Sequence, residues 1–493
     1  MNDPLSTNFA LAELHTMMLG DVRLERRAAM VLAAMCAAPA ESIRSQYPTP
    51  AGAQACYRLL EHERVSHPDI LGAHRNESVA RSWGLPVVLA VQDTMAVSLP
   101  TLTHAKGLGP ITSGETSLGY LVHTTLLVDP SGHRPLGVAS QIVWARPPKS
   151  HSRHETAEQR RKRTRESEHW ADGQRATAAA FDRRARQLSA MGTQKGPPPR
   201  VIAVFDREGD IFEALEALAE LEHGFVIRAS NDRRLTAEEE ERARDMKRGN
   251  RVDGADSDSE IERRYSMTEA ASGPVLGTHR VVIPRGPGRK ERVAILAIRA
   301  KTMDIRPPKN RGRKGNPFRA TYLDVREQNA PDGVAGLHWT LITDEPTVSL
   351  VDCVAVVEKY RSRWLIEEFH MGLKTGAGIE DRQFESLDVH TTFLAFATIV
   401  AWRLLALRTT ARAPDPTPAT AFLTPVQVEL IRALVPRLPA NPTTRDAMRA
   451  IAGFGGFMGR KGDGEPGWRT LWWGFERLLA METGFRIAGT RSG

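Results

Sequence analysis

Two short apolar runs, each carrying an aspartate at its end, constrain this chain more than any other feature. The first, PVVLAVQDT (86–94), places Asp93; the second, RVIAVFDREGD (200–210), places Asp206. Short apolar runs bounded by turn residues read as buried strands, and such strands belong to sheets covered on both faces. The helix-forming stretch IFEALEALAELEH and a further apolar strand, GFVIRAS (224–230), follow the second run. GYLVHTTLLVD (119–129) and RPLGVASQIVWA (134–145) flank the turn DPSGH and predict a hairpin. The expectation is an α/β fold in three layers around a mixed sheet. In it the first and fourth strands are neighbours and their ends bring Asp93 and Asp206 together.

At 493 residues the chain exceeds one ordinary core. Residues 1–80 read as a helical module, with Arg23, Arg26 and Arg27 on the polar side of one helix. That face fits either a reader of DNA ends or a plain solvated subdomain. The α/β core is expected to occupy 81–230 and 336–412, interrupted by a β-rich insertion at 231–335 that includes the basic loop RPPKNRGRKGNPFR (306–319). Arg160, Arg161, Lys162 and Arg163 form a basic run inside a charged, helix-forming stretch at 150–195. Residues 349–378 read as one long helix stopped by glycines, and 387–411 as a second, strongly apolar one. Past a proline-rich linker, 413–493 is helical again.

Composition narrows the function class. No run of about 18 uninterrupted apolar residues occurs, and MNDPLSTNFALAELH lacks the basic and apolar regions of a secretory signal, so neither a membrane span nor export is expected. Cys36, Cys56 and Cys353 form no CxxC pair, which disfavours a structural zinc site or disulfide framework and fits a cytoplasmic setting. Lys and Arg number 67 against 59 Asp and Glu, a net charge of +8. The excess, mostly arginine, suits a polyanionic partner, although a GC-rich genome produces the same bias.

Taken alone, an aspartate after a strand is commonly a turn or cap residue. The surroundings of a third acid, Glu367, change the balance. Tyr360, Arg363, Glu367 and Lys374 are spaced by near-whole helical turns and share one helix face. A carboxylate beside a phenol, an arginine and a lysine suits a metal site that also grips a phosphate backbone. Carboxylates are the ligands Mg²⁺ and Mn²⁺ prefer, and a divalent cation relieves the repulsion among three of them. Two such ions roughly 3.5–4 Å apart serve phosphodiester displacement.

The motif Y-x2-R-x3-E-x6-K, with RWLIEEFH inside it, resembles that of the DDE transposases of bacterial cut-and-paste elements, specifically the insertion-sequence-four type. The resemblance extends to VQDT, FDREGDI, FVIRAS and WTLITDEP, and from LGDVRLERRA to FGGFMGRK. It implies an RNase H-like core in which Asp93, Asp206 and Glu367 bind two Mg²⁺ (or Mn²⁺) ions. It also implies that Tyr360, Arg363 and Lys374 hold phosphates near the cut. Arg228 joins the DNA contacts, and Trp339 is either a platform for a flipped base or a core residue. The N-terminal helices would bind double-stranded DNA ends, and the C-terminal helices would pair two copies into a synaptic homodimer acting on target DNA. Met371 and Leu365 stand where relatives carry basic residues. Two other readings share these residues: a nuclease on the same fold without strand transfer, and a DNA-binding repressor derived from a transposase.

Overall fold

The computed structural model describes residues 4–39, 41–112, 117–147, 166–193, 196–239, 241, 264–283, 291–308, 316–413, 417–460 and 463–491. The basic run at 160–163 and the middle of the basic loop at 306–319 lie outside the described residues.

Four helices open the chain: α1 (Pro4–Leu14), α2 (Val22–Ala37), α3 (Pro50–Leu60) and α4 (His67–Ser82). Local chemistry fixes the starts of the last three. Asp21 caps α2, Thr49 caps α3 ahead of Pro50, and Ser66 and Asp69 form a reciprocal capping box on α4.

The strands are β1 (Val87–Ser98), the two-residue β2 (Gly109–Pro110), β3 (Leu118–Asp129), β4 (Arg134–Trp144), β5 (Arg200–Phe205) and β6 (Gly224–Arg228). After them come β7 (Gly277–Ile283), β8 (Arg292–Ile305), β9 (Phe318–Glu327) and β10 (His338–Thr343). All join one mixed sheet in the order β2-β3-β1-β5-β6-β10-β9-β8-β7, with β4 pairing β3. β1, β5 and β6 are parallel and every other pairing is antiparallel. The hairpin expected around DPSGH is β3–β4. Leaving β2 aside, the first and fourth strands are neighbours, as expected.

The alternation of side chains along each strand sorts the core. Leu89 and Val91 of β1, Ile202 and Val204 of β5, and Val226 of β6 face one layer. That layer contains α8 (Leu350–Arg361), α9 (Trp364–Met371) and α10 (Leu387–Arg412). Val88 and Ala90 face the other way, against Val79 of α4 and Phe181 of α5 (His169–Ala190). Phe205, Phe225 and Ile227 pack there with Phe212 and Leu215 of α6 (Phe212–Glu220). The short helix α7 (Ser266–Ser272) covers β8 and β9 on that side through Ala270, which clusters with Met303 and Tyr322. The expected three layers are therefore present.

Two expectations are corrected. Asp93 does not end its strand: β1 runs on to Ser98, because the ladder with β3 continues through Asp93↔Thr124 after the ladder with β5 has stopped. The helix expected over 349–378 is broken at Ser362 and Arg363. Leu365 and Ile366 bond to carbonyls three residues back, and the Ser362 hydroxyl, engaged with His133 at 2.8 Å, also donates to the Glu358 carbonyl at 3.3 Å. A serine competing for the carbonyl one turn earlier loosens a helix at that point. In the β-rich segment after β6, β7, β8 and β9 extend the sheet through β10.

Helix α10 is long and apolar enough by length and composition to cross a membrane, yet 72% of its most apolar window is buried inside the protein. It is buried nearly all round and packs on α2, α4 and β4, as a central core helix does. Three helices follow it: α11 (Pro425–Leu434), α12 (Thr444–Phe454) and α13 (Trp468–Arg491). α12 and α13 cross at two glycines: a Cβ on Gly455 would lie 1.8 Å from the Thr470 carbonyl oxygen, and one on Gly474 1.8 Å from that of Ile451. Only residues without a Cβ permit so close a crossing.

Candidate active site

The register of β1 on β5 builds the site. Val91 is level with Val204, so two residues further along each chain Asp93 is level with Asp206. Both acids share side-chain parity with Leu89, Val91, Ile202 and Val204, and therefore lie on the sheet face that α8, α9 and α10 cover. Asp206 is the first residue past β5. It stays extended and its carboxylate accepts from the Glu208 amide at 2.8 Å, capping a short turn. Gly173 lets α5 approach the opposite face beside Gln92, since a Cβ there would lie 2.5 Å from the Gln92 side chain.

Helix α9 crosses β1 and brings Glu367 to the same place. Arg363 lies between the acids: its guanidinium hydrogen-bonds the Glu367 carboxylate and reaches within 4.0 Å of Asp93 Oδ2. Asp93 itself accepts from the Thr94 amide at 2.9 Å. Burial first, then the negative charge of Asp206 and to a lesser degree that of Glu367, push the Asp93 carboxyl up to about 7; the Thr94 amide and Arg363 oppose this. The three acids are thus close enough to feel one another in a poorly solvated pocket.

The residues suit a divalent cation in chemistry and charge. They offer only hard oxygen donors, and the crowding that raises Asp93 is what such an ion relieves. Among the described residues no three His, Cys, Asp or Glu side chains are already arranged to hold a metal ion. The Glu367 carboxylate is turned onto Arg363 instead.

A second group adjoins the acids. The Tyr360 ring meets Trp339 edge-on at 5.6 Å, and its phenol, raised by burial, is opposed in that rise by the nearby charges of Arg363 and Arg228. Arg228 also donates to the His338 carbonyl at 3.3 Å. Trp339 is half-buried against the main core, so it is partly a packing residue. Lys374 is drawn elsewhere. It lies past α9 in a wide turn, Gly372–Gly376, and pairs at 3.0 Å with Glu380, which in turn accepts from the Ser98 amide at 2.9 Å. Arg23, Arg26 and Arg27 belong to α2, whose packing is chiefly on α1, α3 and α10, and Arg23 pairs at 3.3 Å with Asp21.

Sequence reasoning overlooked the histidines behind Asp93. His370, one turn past Glu367, has Nδ1 3.8 Å from Asp93 Oδ2. Burial, then Lys374 and Arg363, lower it to about 3, so this is a contact with a neutral ring and not an ion pair. His123, opposite Thr94 on β3, bonds the Thr94 hydroxyl at 2.8 Å and is likewise lowered to about 3 by burial. His370 stood in the quoted RWLIEEFH string, and its helical spacing from Glu367 was the available signal. No signal marked His123, whose role depends on strand register.

With this geometry in place, the ends of the chain can be compared with known domains. Residues 6–65 match the transposase DNA-binding family model, and residues 399–493 match that of the transposase Tn5 dimerisation domain. The first match covers α1–α3; the second begins inside α10 and runs through α13. Neither reaches the carboxylates. Similarity at both ends, to a DNA-binding and to a dimerisation segment, supports a Tn5-like transposase that binds DNA and pairs with a second copy.

Proposed function

We propose that the chain is a DDE-type transposase of the insertion-sequence-four kind, with an RNase H-like core, that cuts double-stranded DNA at element ends and joins the freed 3′-OH to target DNA. The observation that carries this reading is the alignment of Asp93 with Asp206 on one sheet face, under a helix that delivers Glu367. Asp93, Asp206 and Glu367 would hold two Mg²⁺ or Mn²⁺ ions. Bound there, the ions supply an activated nucleophile and charge stabilisation for in-line displacement.

The chain's own groups perform the positioning. Arg363, released from Glu367, presents a planar fork to a phosphate beside the acids. The Tyr360 phenol and Arg228 form a donor pair on the adjacent backbone. The half-exposed Trp339 offers an aromatic ring on which an unstacked base can stack. Lys374 reaches DNA by exchanging Glu380 for a phosphate. The neutral His370 ring packs beside Asp93 without adding positive charge, and His123 braces β1 from the other sheet face through the Thr94 hydroxyl. A homodimer brings two ends to one target.

The test is a supercoiled plasmid carrying the DNA that flanks the gene, incubated with the full chain and Mg²⁺ or Mn²⁺. Excised ends and joined products are expected. Linear ends without joining would replace transposition by simple nuclease action, and binding without cleavage by a repressor.

The α2 arginines give a separate prediction. Changing Arg23, Arg26 and Arg27 together to Gln is expected to lower the slope of log affinity against log salt by about three units, one per phosphate contact. The Arg23 pair with Asp21 is a surface pair and competes weakly. An unchanged slope in a salt titration of duplex binding puts the DNA on another face.

A further inference from the structure

We propose that Glu368 is a positioning residue through which the C-terminal, dimerisation-like segment sets the pose of Glu367. The proposal rests on the reading of Asp93, Asp206 and Glu367 as the active site. Neighbouring residues on a helix point about 100° apart, since a turn takes about 3.6 residues. Glu367 therefore turns to Arg363 and the sheet while Glu368 turns to α10. There Glu368 Oε1 lies 2.7 Å from Arg408 Nη1 and 3.7 Å from Arg412 Nη1. The side chains of Glu368 and Arg408 are only 14% and 8% exposed.

Arg408 is held from behind. Its guanidinium lies 4.7 Å over the Trp468 ring at the start of α13, and Trp468 stacks on Trp472 at 5.9 Å with planes 20° apart. Trp472 then returns to the far end of the same catalytic segment: a Cβ on Gly376, two residues past Lys374, would lie 1.9 Å from its ring. The first turns of α13 thus grip the segment between Trp364 and Gly376 twice, by charge through Arg408 at Glu368 and by close packing at Gly376. Arg408, Arg412, Trp468 and Trp472 all lie inside the stretch that matches the dimerisation domain.

A buried charge pair is an inefficient way to stabilise a core, since an apolar pair of equal volume usually does as well. It does fix register, because only one rotation of α9 presents Glu368 to Arg408. That rotation aims Glu367 at the sheet. Repacking of α13 when two copies associate would reach Glu367 along this route.

The test uses the full chain, duplex DNA bearing the sequence that flanks the coding region, and a Mn²⁺ titration. Glu368→Gln and Arg408→Gln are each expected to slow single-turnover cleavage about 10–100-fold and to raise the half-saturating Mn²⁺ concentration, as loss of a group supporting a ligand does. Affinity for the duplex in a gel shift should stay at the parent value. The double variant is expected to be no slower than either single one, because the two act through one contact. Arg408→Lys, which keeps the charge, should recover most of the loss. Parent rates and parent Mn²⁺ dependence in the Gln variants overturn the proposal. So does a loss that vanishes once rates are normalised to the folded fraction from melting curves. An Asp206→Ala control separates the two failures. Cleavage that survives it overturns the active site and the coupling with it, whereas Asp206-dependent cleavage indifferent to Glu368 overturns the coupling alone.

Discussion

Asp206→Ala is expected to slow strand cleavage by about 10³-fold or more, because carboxylates that act as a unit lose nearly everything when one is removed. The residue has a second role that must be separated from the first. Its carboxylate caps the turn after β5 through the Glu208 amide, so alanine also loses a cap, at about 1 kcal/mol. Asp206→Asn keeps an acceptor oxygen for that amide and removes only the charge. Both variants should be inactive, with Asn melting closer to the parent. A gel assay of end cleavage beside a melting curve makes the comparison, and an active Asn variant would remove Asp206 from the chemistry.

The second large effect is acid unfolding between about pH 6.5 and 4. Burial lowers His123 and His370 to about 3, and His223 and His390 to about 4, from the ordinary 6.5. The sign follows from which state takes the proton. As pH falls below 6.5 the unfolded chain protonates these rings and the folded protein does not, so stability present above 6.5 is lost on the way down. Each ring therefore adds to stability at neutral pH and takes from it in acid, against a typical total of only about 5–15 kcal/mol. Asp93 opposes this. Its folded value of about 7 lies above the ordinary 3.8, so its contribution is complete below 3.8 and is lost as pH rises to about 7. The histidines outnumber it, and the net expectation is a falling melting temperature from pH 7 to pH 5. Comparison with Asp93→Asn should show the variant gaining on the parent as pH rises across 4–7. A flat profile in circular-dichroism melts would mean that the rings are hydrated.

Much of the site could be read from residues alone because its logic is periodic. Strand alternation and a parallel register carry Asp93 to Asp206, and helical spacing separates Glu367 from Glu368. The features that escaped depend on partners far along the chain. Nothing in VQDTMAVS says that β1 continues past Asp93; that follows from β3, which goes on pairing after β5 has stopped. Helical periodicity runs through Ser362 because the pattern is blind to its hydroxyl, held by His133, bonding the Glu358 carbonyl. Lys374 kept the expected spacing, yet Glu380 claims its ammonium.

The unequal lengths of the β1 ladders have a consequence for how the three acids come together. Asp93 is pinned by a strand that continues on both sides of it. Asp206 sits one residue beyond the end of its strand, and Glu367 on a short helix that begins at a loosened turn. The site therefore has one fixed point and two adjustable ones, like a vice with a single stationary jaw. On the proposed chemistry, small adjustments between steps would fall to the jaws that can move, while the position of the cut would be referenced to the middle of the sheet.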